Sequence, residues 1–156
     1  MKESLLSGRN PECLNDEQKD RVRMYLETLG YHGVIEFIDE ACSRSCFKVR
    51  RDEHGQEYGV IRIGSDIYPG KNVINPNASL DMMCALCHEY THYIRWENKM
   101  ELSSDIFEEI ITSLQAIANC RDKLNTRQLE QLSSDALYRL MEYIRYIENP
   151  AEGDNK

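Results

Sequence analysis

The hydrophobic and polar positions of the chain recur with two different periods, and the first segment follows the helical one. Apolar residues over 15–29 recur every three or four positions, as on one face of a helix. Asn15 with Gln18 three residues later is typical of a capping box, and Gly30 is a favourable residue at a helix end. The pattern predicts a helix over 15–29.

Residues 31–76 change to short β-like runs separated by turn residues. The segment Asp52–Gly55 lies between two of these runs and predicts a β-hairpin. Pro76 ends the last run, because proline cannot donate a backbone hydrogen bond to a sheet. The predicted strands are 34–38, 46–50 and 58–63, followed by a short fourth strand at 71–75.

Helical spacing returns after residue 78 and continues almost to the end. The pattern predicts three helices, over 79–96, 99–119 and 126–147. Asn125 and Gln128 resemble a second capping box at the start of the last helix. A helix, a small sheet and a helical half together predict an α+β fold.

The length of the chain fits one domain. A chain of 156 residues has the usual size of a single domain, so we expect 1–156 to form one unit. The first segment, 1–14, contains Gly8 and Pro11, and the tail from Asn149 is polar. We therefore expect 1–14 and 149–156 to be loose termini.

Charge and composition narrow the possible partners and the compartment. The net charge of −8 disfavours binding to nucleic acid, because phosphate backbones repel an acidic surface. No apolar stretch approaches the roughly 20 residues of a membrane span, and the N-terminus lacks the apolar run of a signal peptide. We expect a cytoplasmic protein with no membrane partner, whose six cysteines are mostly reduced and buried.

The second predicted helix carries the pattern H-E-x-x-H, as His88-Glu89-Tyr90-Thr91-His92. Residues four apart lie on one face of a helix, so His88 and His92 can bind one Zn²⁺ ion together. Glu89 lies beside the first histidine and can take a proton from a water whose pKa the metal has lowered. This pattern predicts a zinc site in which Glu89 is the general base.

A catalytic zinc site needs a third protein ligand and an open position for water. The next predicted helix offers Glu101 at its start and Asp105 one turn later on the same face. A carboxylate at 105 can accept the free ring N–H of a histidine ligand and fix its tautomer. If Glu101 does not reach the metal, Glu108 and Glu109 are the alternative ligands.

H-E-x-x-H on one helix followed by E-x-x-x-D on the next resembles the gluzincins, the thermolysin-like zinc peptidases. The resemblance covers about residues 80–115. Only eight residues separate His92 from Glu101, which is similar to the small minigluzincins and the ImmA/IrrE-like peptidases and shorter than in larger gluzincins. The resemblance implies a zincin-like domain in which His88, His92 and Glu101 bind zinc and Asp105 orients His88.

The resemblance also implies an activity and a mode of substrate binding. A gluzincin hydrolyses peptide bonds of a protein or peptide through a zinc-activated water, with Glu89 as the base and proton shuttle. Its substrate lies extended beside an edge strand, for which 58–67 and 71–75 are the candidates. The alternatives are a zincin-fold regulatory or binding protein with a zinc site but little peptidase activity, and a metal-dependent hydrolase of a non-peptide bond.

Other interpretations concern the cysteines and the tyrosines. Cys84-Ala85-Leu86-Cys87-His88 also fits C-x-x-C-H, the attachment pattern of c-type haem, and Cys84 lies one turn before His88, where its thiolate could join the metal. Redox control through Cys84 or Cys87 is a further hypothesis. The residues able to stabilise an oxyanion, among which no motif selects, are Tyr68, Tyr90, Tyr93, His32 and His54.

Overall fold

The computed structural model describes residues 9–70 and 79–149. These residues form a small α+β structure with four α-helices, a three-stranded sheet and a single turn of 3₁₀-helix at Ser65–Ile67. In chain order the elements are α1 (Asp16–Leu29), β1 (Val34–Phe37), β2 (Cys46–Arg51), β3 (Glu57–Ile63), α2 (Met82–Glu97), α3 (Asp105–Cys120) and α4 (Thr126–Glu148). The predicted strand 71–75, like 1–8 and 150–156, lies outside the described residues.

The predicted first helix and its capping box are confirmed. The Asn15 side chain accepts from the backbone N–H of Gln18, and the Gln18 side chain accepts from that of Asn15. Gly30 ends the helix at φ 93°, a left-handed conformation that favours glycine. Just before α1, Leu14 is buried in the core and the Asn10 side chain donates to the Ser65 carbonyl.

The sheet has the strand order β1-β3-β2. β2 and β3 form the predicted antiparallel hairpin, and β1 pairs with β3 in parallel. Because β3 has a strand on each side, residues 57–63 are the centre of this sheet. Of the two candidates for a substrate-binding edge strand, 58–67 does not fit, because 58–63 is central in the sheet, and 71–75 lies outside the described residues. β2 is an edge of the described sheet.

The helices pack around α2, which contacts α1, the sheet, α3 and α4. The core contains Val22, Leu26 and Leu29 of α1, as their shared face predicts, together with Ile61 and Ile63 of β3 and residues of α2. α3 and α4 run antiparallel, with Phe107 packed on Tyr143. Within 9–70 and 79–149, no helix has the length and apolar character needed to cross a membrane.

α3 begins at Asp105, six residues later than the predicted start at 99. α2 ends in a turn in which Lys99 has a φ of 54° and the Met100 N–H bonds the Arg95 carbonyl. The buried Arg95 side chain also donates to the Met100 carbonyl at 2.7 Å. These bonds hold the chain after α2 in a non-helical loop.

The other end of this loop is fixed by Glu108, from the first turn of α3. Its carboxylate accepts from the Leu102 N–H at 2.8 Å and forms a bidentate ion pair with Arg95, at 2.7 and 2.9 Å. The segment 101–104 is thus tied to the helices at both ends by contacts that have no local sequence signature.

The capping box of α4 provides a test of this fold. Asn125→Ala should lower the free energy of unfolding by about 1 kcal/mol, because it removes the acceptor for the Gln128 N–H. Chemical denaturation followed by circular dichroism measures the change. The neighbouring exposed Thr126→Ala is the matched control, and an equal effect of both substitutions would contradict the capping assignment.

Candidate metal centre

α2 presents the two histidines of H-E-x-x-H side by side. Asp81 caps the helix by accepting from the Cys84 N–H, and the helix then runs without interruption through His88 and His92. The two imidazole centroids are 4.7 Å apart, and His88 is only 4% exposed. The predicted pairing of the histidines on one face is therefore present, at the face that α3 covers.

Glu109 of α3 completes a group with the two histidines. Its Oε2 lies 3.1 Å from Nε2 of His88, and its Oε1 lies 3.3 Å from Nε2 of His92. The two Nε2 atoms are themselves 3.1 Å apart. Among the described residues, His88, His92 and Glu109 are the group whose ligand atoms lie close enough to hold a metal ion together.

These separations suit one small cation. Two ligand atoms placed about 2.1 Å from a tetrahedral zinc ion lie about 3.4 Å from each other. The three distances in this group, 3.1 to 3.3 Å, are close to that value. Two imidazole nitrogens and a carboxylate also form the His₂Glu donor set that catalytic zinc sites use. The residues present therefore fit a zinc ion.

The other ring nitrogen of His88 is fixed by a hydroxyl and a buried carboxylate. Ser113 Oγ lies 2.9 Å from Nδ1 of His88 and donates its own proton to Oδ2 of Asp135 at 2.6 Å. Because the hydroxyl proton is used in that bond, Ser113 accepts from Nδ1–H of His88. This tautomer directs Nε2 of His88 towards the group as a ligand atom.

His92 has a matching arrangement with the preceding residue of α3, Thr112. Thr112 Oγ1 lies 3.3 Å from Nδ1 of His92 and donates to Glu108 at 3.4 Å. Glu108 is held in turn by the ion pair with Arg95. Consecutive hydroxyl residues of α3 thus orient both histidines, each backed by a carboxylate.

The electrostatics of the group favour positive charge where the three ligand atoms meet. Burial alone would raise the pKa of Glu109, but hydrogen bonds from His88 and His92 bring that pKa well below its usual range. Burial alone would lower the pKa of His92, but its bond to Glu109 and the nearby charges of Glu89 and Glu108 raise it. Both directions favour positive charge beside the Glu109 carboxylate.

Arg139 of α4 contacts both Asp135 and Glu109. Its Nε donates to Asp135 at 3.0 Å, and its Nη1 lies 3.2 Å from Oε2 of Glu109. The side chain of Arg139 is 16% exposed, so these contacts are partly shielded from solvent. Arg139 therefore fixes the rotamer of Glu109 and balances the charge of the fully buried Asp135.

The structure does not bring Glu101 to the histidines. Glu101 is exposed in the loop before α3, where it lines a surface cavity with Glu57 and Trp96. The helical geometry that predicts Glu101 and Asp105 on one face does not apply, because residue 101 precedes the helix. Glu109, named from the sequence as an alternative ligand, occupies the place predicted for Glu101.

Asp105 likewise lies apart from His88. It is the exposed first residue of α3 and lines a cavity beside Glu109. The bond to Nδ1 of His88 comes from Ser113. No sequence pattern indicates that Ser113 would take the role predicted for Asp105, because the carboxylate that binds Ser113 is Asp135, 22 residues further along.

Glu89 lies beside the group and keeps its carboxylate free. It is half-buried, and its charge reaches both His92 and Cys46, the first residue of β2. Within the described residues no hydrogen bond or ion pair engages the Glu89 carboxylate. A carboxylate in this position remains available as a proton acceptor.

The two cysteines of C-x-x-C-H face the protein core. Both are fully buried, Cys84 donating to the Gln128 carbonyl at 3.3 Å and Cys87 lying 4.0 Å from the Tyr25 hydroxyl. Burial strongly raises the pKa of the Cys84 thiol, which keeps it protonated. Cys84 is outside the ligand group, and the burial of both thiols leaves no room for haem attachment.

The candidate oxyanion-stabilising residues lie elsewhere in the described structure. Tyr90 and Tyr93 pack with Tyr31 on the side of α2 that faces α1 and the sheet. His32 and His54 are exposed, the latter in the β2–β3 turn. Burial raises the pKa of the Tyr68 hydroxyl, and the charges that act on it, Arg21 and Glu17, belong to α1. The structure therefore assigns none of the five to the metal group.

Comparison of the chain with known protein families, curated proteins and solved structures finds no match. The described residues define a small α+β protein with a His-His-Glu group that could hold a metal ion.

Glu109 and Glu101 make a matched pair for testing the third ligand. Glu109→Gln should weaken zinc binding at least about a hundredfold, because it removes a charged ligand from the group. Glu101→Gln makes the same chemical change in an exposed loop and should leave zinc affinity unchanged. Competition titration with a chromophoric chelator measures both, and the reverse ranking would restore Glu101 as the ligand.

Ser113 tests the orientation of His88. Ser113→Ala should lower zinc affinity about 10- to 100-fold, because Nδ1 of His88 loses its acceptor and the tautomer is no longer fixed. The same titration checks it, with the exposed Ser134→Ala on α4 as control. Unchanged affinity in Ser113→Ala would show that the hydroxyl does not orient the ligand.

Proposed function

We propose that this chain is a zinc-dependent metallopeptidase of the gluzincin type that hydrolyses peptide bonds of a protein or peptide substrate. The observation that supports this most strongly is the group of His88, His92 and Glu109 with an unengaged Glu89 one residue after the first histidine. A protein that only bound zinc would not need a free carboxylate at that position.

Glu109 as the third ligand brings the chain closer to the gluzincin pattern than Glu101 does. Sixteen residues, 93–108, then separate His92 from the ligand, in place of eight. The residue four positions after the ligand is Ser113, where the E-x-x-x-D pattern has its aspartate. Ser113 contacts the first histidine, as that aspartate is implied to do, and Asp135 supplies the negative charge from α4.

The residues of this chain divide the work of hydrolysis among them. His88, His92 and Glu109 would hold a zinc ion that polarises the carbonyl of the substrate and lowers the pKa of a water molecule. Glu89 accepts the proton of the attacking water and passes it to the leaving amine. Ser113 and Thr112 keep the histidine rings in one orientation throughout, so the ligand geometry needs no rearrangement.

The surroundings of the group provide a place for an extended substrate. A cavity of about 450 Å³ opens beside Glu109, lined by Arg44, Asp105, Ile106, Glu108, Glu109 and Arg139. The edge strand β2 begins at Cys46, within reach of the charge of Glu89. We propose that a peptide pairs with the backbone of β2 and brings its scissile carbonyl to the metal group, as strand addition to a sheet edge allows.

Glu89→Gln separates catalysis from metal binding. The variant should bind zinc like the wild type and lose peptide hydrolysis by about 10²- to 10⁴-fold, because only the proton acceptor is removed. A peptide library incubated with the zinc-loaded protein and analysed by mass spectrometry detects the cleavage.

Glu97→Gln, the same substitution on an exposed position of α2, is the control and should retain activity. Cleavage that survives Glu89→Gln would contradict the proposed base. A wild type that binds zinc and cleaves no peptide in the library would favour the regulatory or binding alternative.

A further inference from the structure

The outer side of α3 carries an apolar stripe that the described structure leaves uncovered. Phe107, Ile111 and Leu114 are 36%, 37% and 47% exposed, and they recur at i, i+4 and i+7. The opposite side of α3 is buried, at Ala116 and Cys120 among others. The outer stripe has no such cover among the described residues.

α4 continues this stripe on the neighbouring helix. Leu137, Leu140, Met141, Ile144 and Ile147 are 37–57% exposed and follow the spacing of a helix-packing seam. Glu130 and Glu148 lie on the same face at the two ends of the stripe, and the five apolar positions are contiguous between them.

The two stripes form one surface. α3 and α4 are antiparallel neighbours, and the rings of Phe107 and Tyr143 lie 4.7 Å apart at the level where the stripes meet. From the exposed fractions, the eight apolar side chains expose roughly 700 Å², more than the largest apolar patch of a typical monomer and close to the ~800 Å² that each partner gives to a standard interface. We call these eight side chains the outer apolar face.

We propose that the outer apolar face of α3 and α4 is the interface of a homodimer. A two-fold axis parallel to the helices would place α3 of one copy against α4 of the other, so each stripe meets the other stripe and the four helices form a bundle. The chain has a net charge of −8, so two copies repel each other least where the apolar centre of this face meets its counterpart.

The outer apolar face is separate from the metal group. Glu109 lies two positions from both Phe107 and Ile111, and residues two apart point to different sides of a helix. The dimer therefore leaves the group accessible, and its test is independent of zinc and of the proposed peptidase activity.

The test compares one added charge on this face with one added charge elsewhere. The full chain should sediment as a dimer in analytical ultracentrifugation. Ile144→Glu and Leu114→Glu should each raise the dimer dissociation constant at least about a hundredfold, because the charge would be buried at the centre of the interface. Met24→Glu, at a 64% exposed position of α1, should leave the dissociation constant unchanged.

The substituted side chains are partly exposed, so the fold should persist, and circular dichroism checks this for each variant. A wild type that stays monomeric at high concentration would overturn the proposal. If the wild type is monomeric and deletion of residues 2–7 produces a dimer, the result would show that the N-terminal segment covers the outer apolar face. A wild-type dimer that is insensitive to both Ile144→Glu and Leu114→Glu would place the interface elsewhere and would equally overturn it.

Discussion

The contact between α2 and α3 depends on a buried ion pair between Arg95 and Glu108. Arg95 is 2% exposed, and its guanidinium donates to the Glu108 carboxylate from both Nε and Nη2. Removing one partner of such a pair costs about 3–5 kcal/mol, because the other charge is left buried and unpaired. This pair sets the position of α3 along α2, and with it the side of α3 that faces the histidines.

The site follows from that position. Glu109 follows Glu108 on α3 and contacts both histidines, and Thr112 and Ser113 lie one turn further along the same side. The position of α2 is in turn fixed by its packing on α1 and the sheet. The group therefore needs the whole fold, although H-E-x-x-H itself is only five residues long.

Hydrophobic periodicity, turn residues and local capping signals are sufficient to predict most of the elements and the pairing of His88 with His92. The same reasoning places the third ligand at Glu101, because it extends α3 to residue 99. The loop before Asp105 is held by Arg95 and Glu108, which are 13 residues apart in sequence, so no local pattern marks its end. Asp135 behind Ser113 is equally non-local, and a hydroxyl between a histidine and a carboxylate has no recognised spacing.

The group of His88, His92 and Glu109 is proposed to bind one metal ion. Anomalous diffraction at the zinc absorption edge, from crystals of the zinc-loaded wild type, locates that ion. We expect a single strong peak within bonding distance of Nε2 of His88, Nε2 of His92 and a carboxylate oxygen of Glu109. A peak coordinated by Glu101 or Cys84, or no peak between the two histidines, would contradict it.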